Sequence, residues 1–242
     1  MKYFYIIAAF LFFLVTPSSF AEDGGEKAAD VKVKKVTKIP PELQDLIDRI
    51  KQLSEDEAFD DMDRTIKMGN KTRLKVTLYI YPKLLNRQDT FGRTPLYNAV
   101  YAEQLDLVTY LLSKRAKVAI ANVDGDTPLH RAAADGSKEI LQLLLKRGAL
   151  YYAKNKKGRT PLFNAALHGE VEVAEVLLGV GDRVNRQDKY GDTPLHLASS
   201  KGKDKMVKFL LSNGADFTIK NKRGKTPSDL AKNAKTKQLF SH

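Results

Sequence analysis

Cysteine is absent from this chain of 242 residues. Without it the chain can form no disulfide bond and offers no cysteine nucleophile, no thiolate metal ligand and no thiol that could carry a lipid. The fold must therefore be held together by packing and hydrogen bonding alone.

The N-terminal apolar run is too short to cross a membrane. Tyr3–Val15 is an uninterrupted run of 13 apolar residues, whereas a spanning helix needs about 20. Lys2 precedes the run, and a small-x-small sequence follows it at residues 19–21. This layout is typical of a secretory signal peptide that is cleaved after its last small residue. We therefore expect residues 1–21 to be removed on export, which leaves no membrane anchor.

Sequence patterns of catalytic and metal-binding sites are also missing. The four histidines form neither a paired-histidine nor a His-Glu-x-x-His pattern, and no acidic metal-binding loop occurs. The glycines do not have the spacing of a phosphate-binding loop, and no serine lies in a nucleophile elbow. We therefore expect a protein that is not an enzyme and that binds no cofactor and no metal.

Positive charge is in excess. The chain has 41 Lys and Arg against 29 Asp and Glu, a net charge of +12. Residues 1–21 contain one lysine and no acidic residue, so the exported chain would carry +11. In an exported protein this charge favours acidic proteins, anionic wall polymers or a lipid surface as partners, and not nucleic acid. General solubility would also account for it.

The strongest positive feature is a Thr-Pro pair that recurs every 33 residues. A fixed period of this size indicates stacked structural repeats, whose product is an extended surface. In each repeat a glycine two residues before the threonine predicts a turn, the threonine predicts a helix N-cap, and the proline predicts the first helical residue. The five pairs are Thr94-Pro95, Thr127-Pro128, Thr160-Pro161, Thr193-Pro194 and Thr226-Pro227.

This period divides the chain into segments. Residues 22–40 are predicted to be a flexible linker, because their few apolar residues form no usable face. Residues 41–88 are predicted to be a helical N-terminal cap with a degenerate repeat. Four full repeats follow in residues 89–220, and a C-terminal capping repeat occupies residues 221–242.

On these residues the chain resembles the ankyrin-repeat family. The resemblance covers about residues 54–242 and implies an all-α repeat solenoid, with two antiparallel helices per repeat and a β-hairpin finger between repeats. It also implies that His130 and His196 bond to the turn backbone, and that Tyr97 and Phe163, at the same position, pack within the stack. In this family the finger tips and the exposed side of the first helix bind a protein partner.

Those positions predict the partner-binding residues of this chain. Phe91, Tyr101 and Tyr190 are aromatic where the fold requires no aromatic residue, and exposed large apolar side chains favour a contact role. For the lysines and for His168, the alternative that they are ordinary solvated side chains stays open. The polar residues predicted to contact the partner are Arg93, Arg131, Lys156, Lys157, Arg159, His168, Lys189 and Arg223.

With its export layout, the chain is also similar to the periplasmic ankyrin immunity proteins of predatory bacteria, which protect the producer from its own peptidoglycan-cutting peptidases. This resemblance implies a periplasmic protein, monomeric when free, that covers the active site of a peptidoglycan hydrolase with an acidic surface. A different reading stays open, namely an envelope scaffold or stress-protection protein that binds anionic wall components or acidic proteins.

Overall fold

The computed structural model describes residues 39–241. The predicted signal peptide and all but the last two residues of the predicted linker lie outside the described residues. Within them the chain forms twelve α-helices and one 3-10 helix, with no strand. This architecture confirms the predicted all-α repeat solenoid.

The N-terminal part is a helical cap. Its helices are α1 (Pro41–Lys51), α2 (Glu55–Lys67) and α3 (Lys71–Ile80), followed by a 3-10 helix (Pro82–Asn86). Helix α2 begins at a capping box, in which Ser54 and Glu57 bond reciprocally. Helix α2 then packs against the first helix of the next repeat, the place that a degenerate repeat would occupy.

Four helix pairs follow the cap. We call the first helix of each pair inner and the second outer. The inner helices are α4 (Pro95–Tyr101), α6 (Pro128–Asp135), α8 (Pro161–His168) and α10 (Pro194–Ser200). The outer helices are α5 (Leu105–Ser113), α7 (Lys138–Lys146), α9 (Val171–Gly179) and α11 (Asp204–Ser212). A short helix, α12 (Ala234–Gln238), packs on α11 and ends the stack.

In the first four repeats the inner helix starts as the Thr-Pro pair predicts, with the threonine at the N-cap and the proline in the first turn. The fifth pair, Thr226-Pro227, differs from the prediction and begins only a turn. The partner of the threonine side chain differs between repeats. In the first repeat Thr94 accepts a hydrogen bond from the backbone N–H of Tyr97 at 3.2 Å. In the third repeat Thr160 donates to the buried carboxylate of Asp182 at 2.8 Å, which ties the N-cap to the segment that leads into the next repeat.

The core combines alanines from the inner helices with leucines from the outer helices. The alanine at the middle of each inner helix is fully buried, which lets neighbouring inner helices stack closely. The first residue of each Leu-Leu pair in the outer helices is also fully buried, whereas the second is partly exposed in all but the first pair. The fully buried residues are Ala99, Ala132, Ala165 and Ala198, with Leu111, Leu144, Leu177 and Leu210.

The segments before the inner helices form five projecting turns, which we call fingers 1 to 5 (residues 89–93, 122–126, 155–159, 188–192 and 221–225). In each, the first residue's backbone N–H donates to the carbonyl of the fifth, and its side-chain oxygen accepts two further backbone N–H groups, as Asn155 does from Lys157 and Arg159. The resemblance implied β-hairpins here. The fingers are shorter, because the side chain takes the hydrogen bonds that a second pair of strand residues would make.

Adjacent fingers are linked by one backbone hydrogen bond each. The donor and acceptor atoms are 2.9–3.0 Å apart, as between the N–H of Lys156 and the carbonyl of Asp124. These bonds hold all five fingers in register, so their tips form one continuous row. No helix in residues 39–241 is long and apolar enough to cross a membrane.

Candidate functional site

The finger tips and the exposed side of the inner helices together form what we call the inner surface. Its N-terminal end is a hollow of about 360 Å³ between the cap helix α2 and finger 1. Phe59, Met62 and Phe91 supply apolar walls to this hollow, and Asp60 and Asp63 supply acidic groups. Lys67 and Arg93 also line it and pair with Asp63 and Asp89, so the hollow has an apolar lining with mixed charge.

Phe91 and Arg93, both predicted to contact a partner, are paired with each other at this hollow. The guanidinium carbon of Arg93 lies 4.6 Å from the centre of the Phe91 ring. The Nε of Arg93 donates to Asp89 at 2.9 Å. Phe91 is nevertheless exposed, so its outer edge is free to meet another molecule while its inner face is held by the arginine.

Tyr101 and Arg131 form a second pair of the same kind. The guanidinium carbon of Arg131 lies 4.2 Å from the Tyr101 ring centre, and its Nε donates to Asp135 at 2.6 Å. The two residues come from successive inner helices, α4 and α6. Tyrosine and arginine are among the residue types enriched at binding hot spots, and a pair whose side chains are already held loses little side-chain entropy on binding.

A second hollow, of about 260 Å³, lies between fingers 2 and 3 above the inner helices α6 and α8. It brings together five of the predicted contact residues, more than any other part of the inner surface described. Asp124 and Asp126 also line it, so its charge is mixed but predominantly positive. The five are Arg131, Lys156, Lys157, Arg159 and His168.

Arg159 has a structural partner that the sequence did not indicate. Its Nε donates to Asp188 in finger 4 at 2.8 Å. The Asp188 side chain is fully buried and that of Arg159 is only 14% exposed. Arg159 therefore fixes finger 3 to finger 4, and it offers a partner less surface than Lys156 or Lys157.

The other predicted contact residues lie outside both hollows. Lys189, Tyr190 and Arg223 are exposed at the tips of fingers 4 and 5. His168, which lines the second hollow, is exposed at the end of α8, where its Nδ1 lies 2.9 Å from the carbonyl oxygen of Asn164. Along the row of fingers the exposed charged side chains therefore become mainly basic at fingers 3 to 5.

The two histidines that the resemblance assigned to the turns are structural. The Nδ1 of His130 lies 2.9 Å from Thr127 Oγ1, and its Nε2 lies 3.0 Å from the carbonyl oxygen of Arg159 in the next finger. His196 repeats both contacts with Thr193 and Lys225. Burial lowers the pKa of both imidazoles, because a charged ring loses its hydration there.

Tyr97 and Phe163 take the same position in their repeats and are buried, as predicted. The Tyr97 hydroxyl accepts a hydrogen bond from Asn122 in finger 2 at 3.1 Å. Burial, with the nearby carboxylate of Asp126, raises the pKa of Tyr97 to about 12. Tyr97 is therefore a neutral link between repeats and not a reactive group.

Within residues 39–241, no three side chains of the types that bind metals come together at one point. The chemistry available on the inner surface is that of recognition, with stacked aromatic rings, charged side chains and two open hollows.

A family model described as ankyrin repeats (3 copies) matches residues 66–155 and 150–221. The two matches together span most of the described repeats. The chain belongs to the ankyrin-repeat family. Ankyrin repeats act as protein-interaction modules, so the ankyrin stack of this chain is a protein-binding module with a protein partner. No curated protein sequence matches the chain significantly.

Sequence reasoning missed two groups of residues in this ankyrin stack. The acidic residues Asp60 and Asp63 belong to the degenerate cap repeat, which the 33-residue period does not reach. The second group is apolar and exposed, and lies between the outer helices and the fingers, at Leu150, Tyr152, Val180 and Phe217. Comparing equivalent positions of the repeats would have found it, since Lys117, Arg183 and Asp216 stand where Leu150 does.

Proposed function

We propose that this ankyrin protein is an exported, non-catalytic inhibitor that covers the active-site cleft of a periplasmic hydrolase, such as a peptidoglycan peptidase. The observation that carries the proposal is the preorganised Tyr101–Arg131 stack at the edge of the second hollow, 4.2 Å from guanidinium carbon to ring centre. A binder that blocks access needs only a rigid, complementary surface of about 800 Å².

The shape of the inner surface supports a folded protein as the partner. Five fingers are locked in register by backbone hydrogen bonds, and two hollows interrupt the row at different points. Protrusions of a folded partner fit such a surface, and little entropy is lost because the contact residues are already held.

Charge supports a partner whose cleft has an acidic rim. Lys156 and Lys157 are exposed at finger 3 and form no ion pair among the described residues, and the same holds for Lys222 and Arg223 at finger 5. Uncompensated charge of one sign speeds association with a surface of the opposite sign. The N-terminal layout of residues 1–21 supports export, which would place the protein among enzymes of the envelope.

The proposal is tested by capture with matched variants. The chain from Glu22 onward would be immobilised and exposed to the envelope extract of its own source, and captured proteins identified by mass spectrometry and assayed for hydrolase activity. We expect one stoichiometric hydrolase that loses activity when the chain is added. The double variant Phe91→Ala and Tyr101→Ala should lose both the capture and the inhibition.

Charge-reversal variants test whether association depends on positive charge at the inner surface or only on the total charge of the chain. Lys156→Glu with Lys157→Glu should slow association and reduce its salt dependence, whereas Lys205→Glu with Lys208→Glu, the same charge change on the outer helix α11, should leave the rate nearly unchanged. If both pairs slow association equally, the positive charge as a whole acts, and the envelope-scaffold function with anionic wall components as ligands replaces the inhibitor.

A further inference from the structure

The segments that join each outer helix to the next finger form a second surface, which we call the loop edge (residues 114–121, 147–154, 180–187 and 213–220). They occupy equivalent positions in successive repeats, so they lie side by side along the stack. Contacts between neighbours show this directly. The side-chain oxygen of Asn185 accepts from the backbone N–H of Asp216 at 2.8 Å, and the hydroxyl of Tyr151 lies beside Gly181.

The loop edge is strongly basic. Its segments hold eight Lys and Arg against two acidic residues, Asp182 and Asp216. Asp182 is buried and pairs with Arg186, so it neutralises none of the exposed charge. Six cations of the edge are exposed and make no ion pair within residues 39–241, namely Arg115, Lys117, Arg147, Lys154, Arg183 and Lys220.

Apolar side chains stand among these cations. Leu150 is 48% exposed and Tyr152 is 50% exposed, while Val180 and Phe217 on the next two segments are exposed to a similar degree. Tyr152 is held in place by an edge-to-face contact with Tyr151, with ring centres 5.1 Å apart. The hydroxyl of Tyr151 approaches Gly181, next to Val180, so the apolar groups of the second and third segments lie on adjacent parts of the edge.

We propose that the loop edge binds the surface of an anionic phospholipid bilayer. Cations attract the phosphate groups of such a surface, and aliphatic and aromatic side chains enter the boundary between headgroups and acyl chains. Tyrosine suits that boundary because its ring is apolar and its hydroxyl is polar. The unpaired charges and the exposed apolar patch are therefore accounted for by one ligand.

Other ligands account for only part of the edge. A soluble anionic polymer would use the cations and leave Leu150, Tyr152 and Val180 without a role. A protein interface would bury the apolar patch and could use the arginines, but it would leave Lys117, Lys154 and Lys220 without a role, since lysine is depleted in such interfaces. None of the loop-edge residues lines either hollow of the inner surface, so the bilayer and a protein partner could be bound at once.

Vesicle co-sedimentation tests the proposal. The chain from Glu22 onward contains every described residue, and so the whole stack, and lacks the apolar run Tyr3–Val15, which would itself bind lipid. We expect it to sediment with vesicles of equal parts phosphatidylglycerol and phosphatidylcholine, to bind pure phosphatidylcholine at least about ten-fold less, and to be released by salt.

Two loop-edge variants and two controls locate the site. Leu150→Ser with Tyr152→Ser, and separately Arg147→Glu with Lys154→Glu, should each lower vesicle binding at least about ten-fold, with folding verified by circular dichroism and thermal unfolding. Lys222→Glu with Arg223→Glu at finger 5 should change it less than about three-fold, and the inner-surface variant Phe91→Ala with Tyr101→Ala should not change it.

Three results would overturn the proposal. Equal binding to neutral and anionic vesicles, or no binding to either, would remove the lipid as ligand. Equal losses for the finger 5 and loop-edge charge reversals would mean that net charge acts without a defined surface. If the folded variant Leu150→Ser with Tyr152→Ser binds vesicles as the wild type does, these side chains make no apolar contact with the bilayer. Phe91→Ala with Tyr101→Ala changes only the inner surface, so its loss of inhibition together with unchanged vesicle binding would show that the two functions use different surfaces.

Discussion

The close approach of successive fingers makes a quantitative prediction at Gly125. Its φ is +82°, and a Cβ there would lie 2.7 Å from the backbone nitrogen of Lys156 in the next finger. Gly148 has nearly the same backbone conformation, with φ of +84°, but a Cβ there would meet nothing within 4 Å. The two glycines therefore share the conformational requirement and differ in the contact.

The expected losses of stability follow from the backbone conformation and from the contact. Alanine in the left-handed conformation costs about 1–2 kcal/mol at either position. At Gly125 the methyl group must also push finger 3 away, which breaks or lengthens the 2.9 Å hydrogen bond from Lys156 N–H to the carbonyl of Asp124 at a further cost of about 0.5–1.5 kcal/mol. We expect Gly125→Ala to destabilise the fold by about 1 kcal/mol more than Gly148→Ala.

Urea unfolding followed by circular dichroism measures the difference as a shift in midpoint at constant slope. Gly148→Ala is the matched control, because it pays only the conformational cost. Equal destabilisation by the two substitutions would show that the fingers do not meet as closely as described, and would refute the argument that they form a rigid row.

Three further predictions concern stability. Glu103 adopts φ of +53°, where the other repeats have glycine, so Glu103→Gly should raise the free energy of unfolding by about 0.5–1 kcal/mol in urea titrations, and a loss of stability would contradict the strain. Burial lowers the folded-state pKa of His130 and His196, so the stabilisation of the fold that comes from their neutral rings is complete above the unfolded-state pKa of about 6.5 and is lost as the pH falls below it. Replacing both with Phe should flatten the dependence of the free energy of unfolding on pH over that range. An unchanged dependence would assign it to other groups. Arg159→Ala should lower the free energy of unfolding by about 2 kcal/mol in thermal unfolding, because the buried carboxylate of Asp188 loses its charged partner and keeps only its two backbone hydrogen bonds. A neutral effect would make Arg159 a surface residue available to the partner.

Much of the fold could be predicted because the same sequence pattern recurs in successive repeats. The Thr-Pro pair fixes the start of each inner helix, and the middle alanine marks the closest approach between helices. The fingers were predicted less accurately. Whether a turn becomes a β-hairpin depends on which groups take its hydrogen bonds, and here the side chain of the first finger residue takes them, as Asn155 does.

The candidate site could be predicted only in part, because a recurring sequence pattern does not show which residues of neighbouring repeats come into contact. The sequence indicated Tyr101 and Arg131 separately, but their stacking depends on how far α6 is displaced from α4. It also assigned Arg159 to the partner, whereas the 2.8 Å contact with Asp188 in finger 4 depends on the spacing of fingers. Asp60 and Asp63 were missed because the cap repeat has diverged from the pattern.

The central claim is that the inner surface binds one folded protein and blocks its activity. The most direct measurement is the capture experiment from the envelope extract, run side by side with the wild-type chain and with Phe91→Ala plus Tyr101→Ala. The account predicts a single stoichiometric hydrolase that is inhibited by the wild-type chain and absent from the variant. A diffuse set of acidic proteins or wall fragments, retained equally by both chains and released by moderate salt, would contradict it.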